Sequence, residues 1–295
     1  MDAFWIISTG TLVALCCGLL GSFLVLRQMA MVGDAISHAV LPGIVIAFLL
    51  SESRESLPML IGAAVVGVLA TILIEWLHRV GRIQADASIG LSYTTLFAIG
   101  IILISLFTRQ VDLDQDCVLY GEIAYVPLDL WILDNGISMG PRPVWILGGA
   151  LLFILAFIGV GYKGLQVTTF DASYAATLGI STVFWHYALM STVSLATVVS
   201  FESVGAILVV AFLIVPPASA YLLTNRLPVM LALSALFGFL SAVLGYILAV
   251  LTNGSVAGAM AVAAGIWFVL ALLIHFVKKR FYALPERRKL SESHI

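Results

Sequence analysis

Asp34 and His38 stand four residues apart in the stretch 32–43, VGDAISHAVLPG, at the head of an apolar run that continues to Leu50. On a helix, side chains four apart share one face, one turn above the other. A carboxylate and an imidazole so placed suit a divalent cation. An ionisable residue inside a membrane-length segment costs about 2.5–3.5 kcal/mol on insertion scales, so such residues line a polar pathway or pair with one another. The plainer alternative is that Asp34 caps the helix and His38 is a satisfied interior histidine. Spacing leaves both readings open.

The elements that must position this pair are set by composition. Of 295 residues, 62% are hydrophobic and only 10% charged, and the mean hydropathy of +1.12 lies outside the range of soluble domains. The chain therefore reads as an all-α, polytopic helical membrane protein. At about 20 residues per span there is room for about eight or nine transmembrane helices in a single domain, 1–280, with 281–295 left as a cytoplasmic tail. The formal net charge of -2 points to no nucleic-acid partner. Cys16, Cys17 and Cys117 form no C-x-x-C pair, so they read as packing residues rather than a zinc knuckle or a disulfide framework. Residues 1–26 lack a basic leader and a small-residue cleavage site, which suggests a first span rather than a removable signal peptide.

Apolar segments predict spans at 4–26, 29–50, 57–77, 89–107, 144–162, 183–200, 204–223, 229–251 and 256–277. If all nine cross, Arg27, Arg79, Arg82, Lys163, Arg226 and the basic tail fall on one side. By the positive-inside rule that side is the cytoplasm and the N-terminus is outside. The second span then enters from the cytoplasm, with Asp34 about 8 Å and His38 about 14 Å in from Met29, the latter near the midplane. Capping at a surface is less plausible at that depth. Pro42, one turn beyond His38, removes a backbone hydrogen bond there and predicts a kink.

Four other stretches stand out. The stretch 110–140 is too polar for a plain span and too apolar within 117–133 for a plain loop, which suggests a re-entrant helix. It carries Asp112, Asp114, Asp116 and Glu122, which with Glu202 after the sixth span form a candidate outer vestibule that would concentrate cations; solvated loop and turn residues are the alternative. In the cytoplasmic connection, Asp171 can cap a short helix within 170–181, Ala175 is small, and Gly179 can end it. Such a helix allows close approach by another protein, or is an ordinary connection. Pro216-Pro217 predicts a break near the inner end of the seventh span, and His186 near the inner end of the sixth reads as hydrogen-bonded to a neighbouring helix.

Three stretches together resemble the permease subunits of the metal-ion ATP-binding-cassette importers, the ABC-3 family. They are 33–43 with Asp34 and His38, 112–127 through Leu119-Tyr120-Gly121-Glu122, and 170–180. The likeness extends from near the N-terminus to about Val277. It implies the ABC importer permease fold in the bacterial plasma (inner) membrane. It also implies a second permease, copy or paralogue, across a twofold axis, an extracytoplasmic metal-binding lipoprotein above and cytoplasmic ABC ATPase subunits below. Asp34 and His38 match the metal positions; Asp171, Ala175 and Gly179 match the helix that couples to the ATPase. The chain has no G-x-x-x-x-G-K-[ST] phosphate loop, so ATP is expected on the partner, and this subunit is expected to be no enzyme and to hold no permanent cofactor.

For the transported ion, aspartate and histidine without a thiolate or thioether in register disfavour copper(I) and accommodate Mn2+, Fe2+ or Zn2+. Affinity order alone favours zinc; the likeness of 112–127 to manganese-type members favours manganese. A secondary transporter or channel using the pair as a cation relay without ATP is the alternative. A third reading, an intramembrane hydrolase, finds no H-E-x-x-H pair and no convincing nucleophile with its base.

Overall fold

The structure, a computed structural model, describes residues 2–51, 56–107, 123–132 and 138–292. It is a helical bundle: α1 (Asp2–Leu26), α2 (Met31–Ala39), α3 (Leu41–Ser51), α4 (Ser56–Arg79), α5 (Ala85–Phe107), α6 (Arg142–Phe170), α7 (Ala172–Thr177), α8 (Thr182–Val204), α9 (Ala206–Leu223), α10 (Leu227–Thr252) and α11 (Val256–Glu292). Among the described residues nine helical stretches are long and apolar enough to cross a bilayer, α2 and α3 together making one of them. This is the upper end of the expected number.

The second span is interrupted where Pro42 predicts it. Val40 donates its N–H to the Ile36 carbonyl at 3.2 Å and Ile44 donates to Val40 at 3.1 Å, so the helical ladder holds on both sides. Pro42 has no N–H to offer the His38 carbonyl, and α2 gives way to α3 at Val40.

Helix α1 stands at the centre, packed by α6, α8, α9 and α10, with Val13, Cys16, Cys17, Leu20, Phe23 and Leu24 fully buried. The outside of the bundle is the reverse of a soluble protein's: Leu50, Leu152, Val160 and Leu251 are among its most exposed side chains, as a lipid-facing surface requires.

Because lipid tails are as apolar as the interior, helix association rests on close contact, and small residues permit it. Gly21 of α1 lies against the Leu213 carbonyl of α9, Gly43 of α3 and Gly62 of α4 lie against each other's carbonyls, and Gly245 of α10 lies against the backbone of Met260 in α11. None of these sites admits a β-carbon without movement.

Two expectations are corrected. Helix α9 runs through Pro216 and Pro217 without a break. Pro217 cannot donate to the Leu213 carbonyl, yet Gly21 leaves room for that carbonyl and the Pro217 ring to press against α1, and tertiary packing holds the helix. The described part of 110–140 contains no re-entrant α-helix. Residues Ile123–Leu128 form a 3₁₀ helix, and the strands β1 (Leu130–Ile132) and β2 (Ser138–Pro141) form an antiparallel hairpin, Leu130 opposite Pro141. A short apolar run bounded by turn-forming residues suits a strand as well as a helix, which is why the apolarity of the segment does not decide between them.

The packing makes a contrast that can be measured. Gly43→Val overfills the α3–α4 contact and is expected to destabilise the protein by about 1–3 kcal/mol, whereas Gly159→Ala, with open space around it, is expected to be neutral or slightly stabilising. Thermal midpoints of the purified proteins in detergent check this; equal midpoints for Gly43→Val and the parent would refute the contact.

Candidate metal pathway and cytoplasmic contact site

Asp34 lies in the first turn of α2 but does not cap it: the N-cap is Ala30, which has no side-chain cap bond. Its carboxylate instead faces the imidazole, with Asp34 Oδ1 and His38 Nε2 3.6 Å apart. At that separation the two atoms make no direct hydrogen bond, so the carboxylate and, with its proton on Nδ1, the imidazole can each offer a lone pair to a cation. Two ligand atoms about 2.1 Å from one ion at a tetrahedral angle are about 3.4 Å apart, close to the separation seen.

The rest of α2 fixes the direction in which the pair points. Val32, Gly33, Ala35, Ile36, Ser37 and Ala39 are buried, and Gly33 sits directly against the Leu213 side chain of α9. Asp34 and His38 are left about one third exposed, at 31% and 32%. Tyr93 and Phe97, four apart on α5, flank the His38 ring with centroids at 5.9 and 6.1 Å. Ser37 donates its hydroxyl to the Asp34 carbonyl at 2.7 Å. Among the described residues no group of three or more His, Cys, Asp or Glu gathers, so the chain presents a pair of ligands.

Between α6 and α8, Asp171 caps α7 as expected, its carboxylate accepting the Tyr174 N–H at 2.8 Å. Gly179 ends it in the left-handed region, φ +75, with Ile180 donating to the Ala175 carbonyl and Gly179 to that of Ala176. This is a Schellman closure. Ala175, expected on the outward face, is fully buried: its methyl seats the short helix on the bundle, while Tyr174, Ala176, Thr177 and Leu178 are exposed. Glu202 is exposed in the last turn of α8, still within the helix. Asp112, Asp114, Asp116 and Glu122 lie outside the described residues.

Sequence reasoning missed the partner of His186. Glu75, buried on α4, is within 3.2 Å of His186 Nε2 through Oε2 and pairs through Oε1 with Arg79. The available signal was a lone carboxylate inside an apolar span with an arginine four residues on. Arg27, beyond the end of α1, was read only as an orienting charge; its guanidinium donates to Thr168 and Thr169 at the end of α6. Burial lowers the Arg27 pKa from its usual value. The stretch 136–140 also spells G-x-S-x-G, but Ser138 opens strand β2 instead of a strand-to-helix elbow, so the match is one of spelling alone.

Nine apolar spans among the described residues, a carboxylate–imidazole pair set within one of them and a short capped helix between two others define a polytopic membrane transport protein. The chain belongs to the ABC 3 transport family, whose profile matches residues 3–275. It is 51% identical over 269 residues to the manganese transport system membrane protein MntD of Bacillus subtilis (strain 168), covering 91% of this chain and 90% of that protein. It is 40% identical to the zinc transport system membrane protein TroD of Treponema pallidum (strain Nichols), covering 91% and 72%. Among solved structures it resembles PsaBC from Streptococcus pneumoniae in complex with Fab, with a TM-score of 0.74 and 34% identity over 90% of this chain and 89% of that one. The architecture is that of an ABC permease in the bacterial plasma membrane, multi-pass as the helices require.

The buried Glu75 gives a further expectation. Glu75→Ala leaves His186 and Arg79 without their carboxylate and is expected to lower stability by about 3 kcal/mol, while Glu75→Gln keeps an acceptor and loses less. Thermal unfolding in detergent reads both; an Ala variant as stable as the parent would show the pair to be dispensable.

Proposed function

We propose that this chain is the membrane-spanning permease subunit of an ATP-binding-cassette importer for divalent transition metal ions, with manganese as cargo and ATP hydrolysed by cytoplasmic partner subunits. The observation that carries the reading is the Asp34–His38 pair, one third exposed on a bundle whose outer surface is otherwise built for lipid. Leaving a carboxylate against hydrocarbon is unfavourable by several kcal/mol. A second permease, copy or paralogue, facing the pair across a twofold axis removes that cost and adds its own ligands. Two such pairs make a four-ligand oxygen and nitrogen site through which an ion can pass.

The remaining roles follow the chemistry. The chain has no phosphate-binding loop, so hydrolysis belongs to an ABC ATPase. That subunit docks on α7, whose start is set by Asp171, whose seat is set by Ala175 and whose end is set by Gly179; Tyr174 and Leu178 are its exposed contacts. An extracytoplasmic metal-binding lipoprotein delivers the ion, with Glu202 and the carboxylates Asp112, Asp114, Asp116 and Glu122 as its outer receiving charges. Ligand type does not separate manganese from zinc or iron. Manganese is chosen because it is what the relative that shares half of this sequence is named for transporting.

Asp34→Ala and His38→Ala are each expected to reduce Mn2+ uptake by the reconstituted complex at least about tenfold, with assembly preserved, because each removes ligand capacity from a partly exposed side chain. Near-normal uptake by both variants would refute the pathway assignment, and equal uptake in vesicles without the ATPase would refute the ATP-driven reading. The ion is tested by growing a deletion strain in chelated medium with manganese, zinc and iron restored separately. Manganese is expected to rescue growth; rescue by zinc alone would identify the other cargo.

A further inference from the structure

We propose that Arg27 is the positioning residue through which movement of the cytoplasmic helix α7 reaches the helix that carries Asp34 and His38. The proposal rests on the permease reading above and adds to it a mechanical link between its two ends.

Arg27 follows the last residue of α1. Its Nε donates to the Thr169 hydroxyl and its Nη2 to the Thr168 hydroxyl, both at 3.0 Å. Those threonines occupy the last turn of α6, immediately before Asp171 caps α7. The planar guanidinium thus grips two adjacent side chains at the root of α7, at a helix C-terminus that favours a cation. Thr168 in turn donates to the Gly164 carbonyl at 2.8 Å, which fixes its oxygen as an acceptor for Arg27.

On its other side Arg27 is joined by three residues to α2. Gln28 has φ +59, in the left-handed region where non-glycine residues are uncommon. Gln28 donates to the Val25 carbonyl at 3.1 Å and Met29 to that of Leu24 at 2.9 Å, the closure made at the end of α7 but with glutamine in the place glycine usually takes. Val32 then bonds back to Met29 at 3.1 Å. The turn is short, tied by the backbone bonds of Gln28, Met29 and Val32, and holds Gln28 in an uncommon conformation, so it transmits displacement instead of absorbing it. Asp34 lies seven residues after Arg27, in the first turn of the helix this turn launches.

Among the described residues the Arg27 guanidinium is held by these hydroxyls and by no carboxylate. Bonds from a planar charged donor to neutral hydroxyls are directional, so the grip depends on where the end of α6 stands.

The test uses the whole complex in vesicles with ATP and Mn2+, reading metal uptake and phosphate release together. Arg27→Ala is expected to lower uptake per ATP hydrolysed by roughly three- to thirtyfold while the ATPase still co-purifies. Arg27→Lys is expected to restore part of the ratio, since lysine keeps the charge but loses the fork. The pair Thr168→Val and Thr169→Val, nearly the same in shape, is expected to reproduce the loss with Arg27 intact. If Arg27→Ala does not assemble, Thr169→Val alone carries the test, with a drop of about threefold expected from one lost bond. Ratios equal to the parent's in the threonine variants would overturn the proposal and leave the permease reading standing. Absence of ATP-dependent uptake in the unaltered complex would overturn that reading, and the proposal with it.

Discussion

Leu213 presses on two helices where neither has a β-carbon. Its carbonyl meets Gly21 of the central helix α1 and its side chain meets Gly33 of α2. In a bilayer the helices gain little from leaving their solvent, so their association depends on how closely backbones approach. These contacts therefore set more than stability. Gly33 precedes Asp34, and with that face of α2 locked against α9, the helical repeat turns Asp34 and His38 away from α9. The prolines that follow Leu213 take part as well, because the carbonyl left unpaired by Pro217 is the one that meets Gly21.

A second constraint acts on the backbone. Every N–H and C=O within hydrocarbon needs a partner, and irregular backbone at that depth is tolerated only where protein or water covers it. The single interruption among the described parts of the spans, at Val40 between α2 and α3, falls within one turn of His38. The most polar side chains and the least regular backbone of the second span thus occur together. Glu75, a carboxylate buried within the bundle, is handled differently: it is closed off by His186 and Arg79 and exposes almost no surface.

How much of this was legible in the sequence depended on the length of the repeat that carried the signal. Spans of about 20 apolar residues are long enough that all nine were readable, and the four-residue spacing of Asp34 and His38 gave their shared face at once. Pro42 was read correctly and Pro216-Pro217 was not, though the local chemistry is the same. The difference lies in Gly21, on another helix, which no local reading of α9 includes. The six residues of α7 make fewer than two turns, too few for a hydrophobic repeat to fix which side faces inward, and so Ala175 was placed on the wrong face. The hairpin of β1 and β2 was hidden because apolar strands and apolar helices look alike over a few residues. Glu75 and Arg27 were visible as charges, but their partners are 111 and 141 or more residues away along the chain, at His186, Thr168 and Thr169.

The partial exposure of Asp34 and His38 also bears on how the cell must make this protein. In the arrangement proposed above, a copy inserted without its counterpart would leave an ionisable pair unsatisfied on its own surface, a state that draws in water and headgroups. The unpaired copy would then be the less stable species, and the amounts of the two subunits would balance through its shorter lifetime.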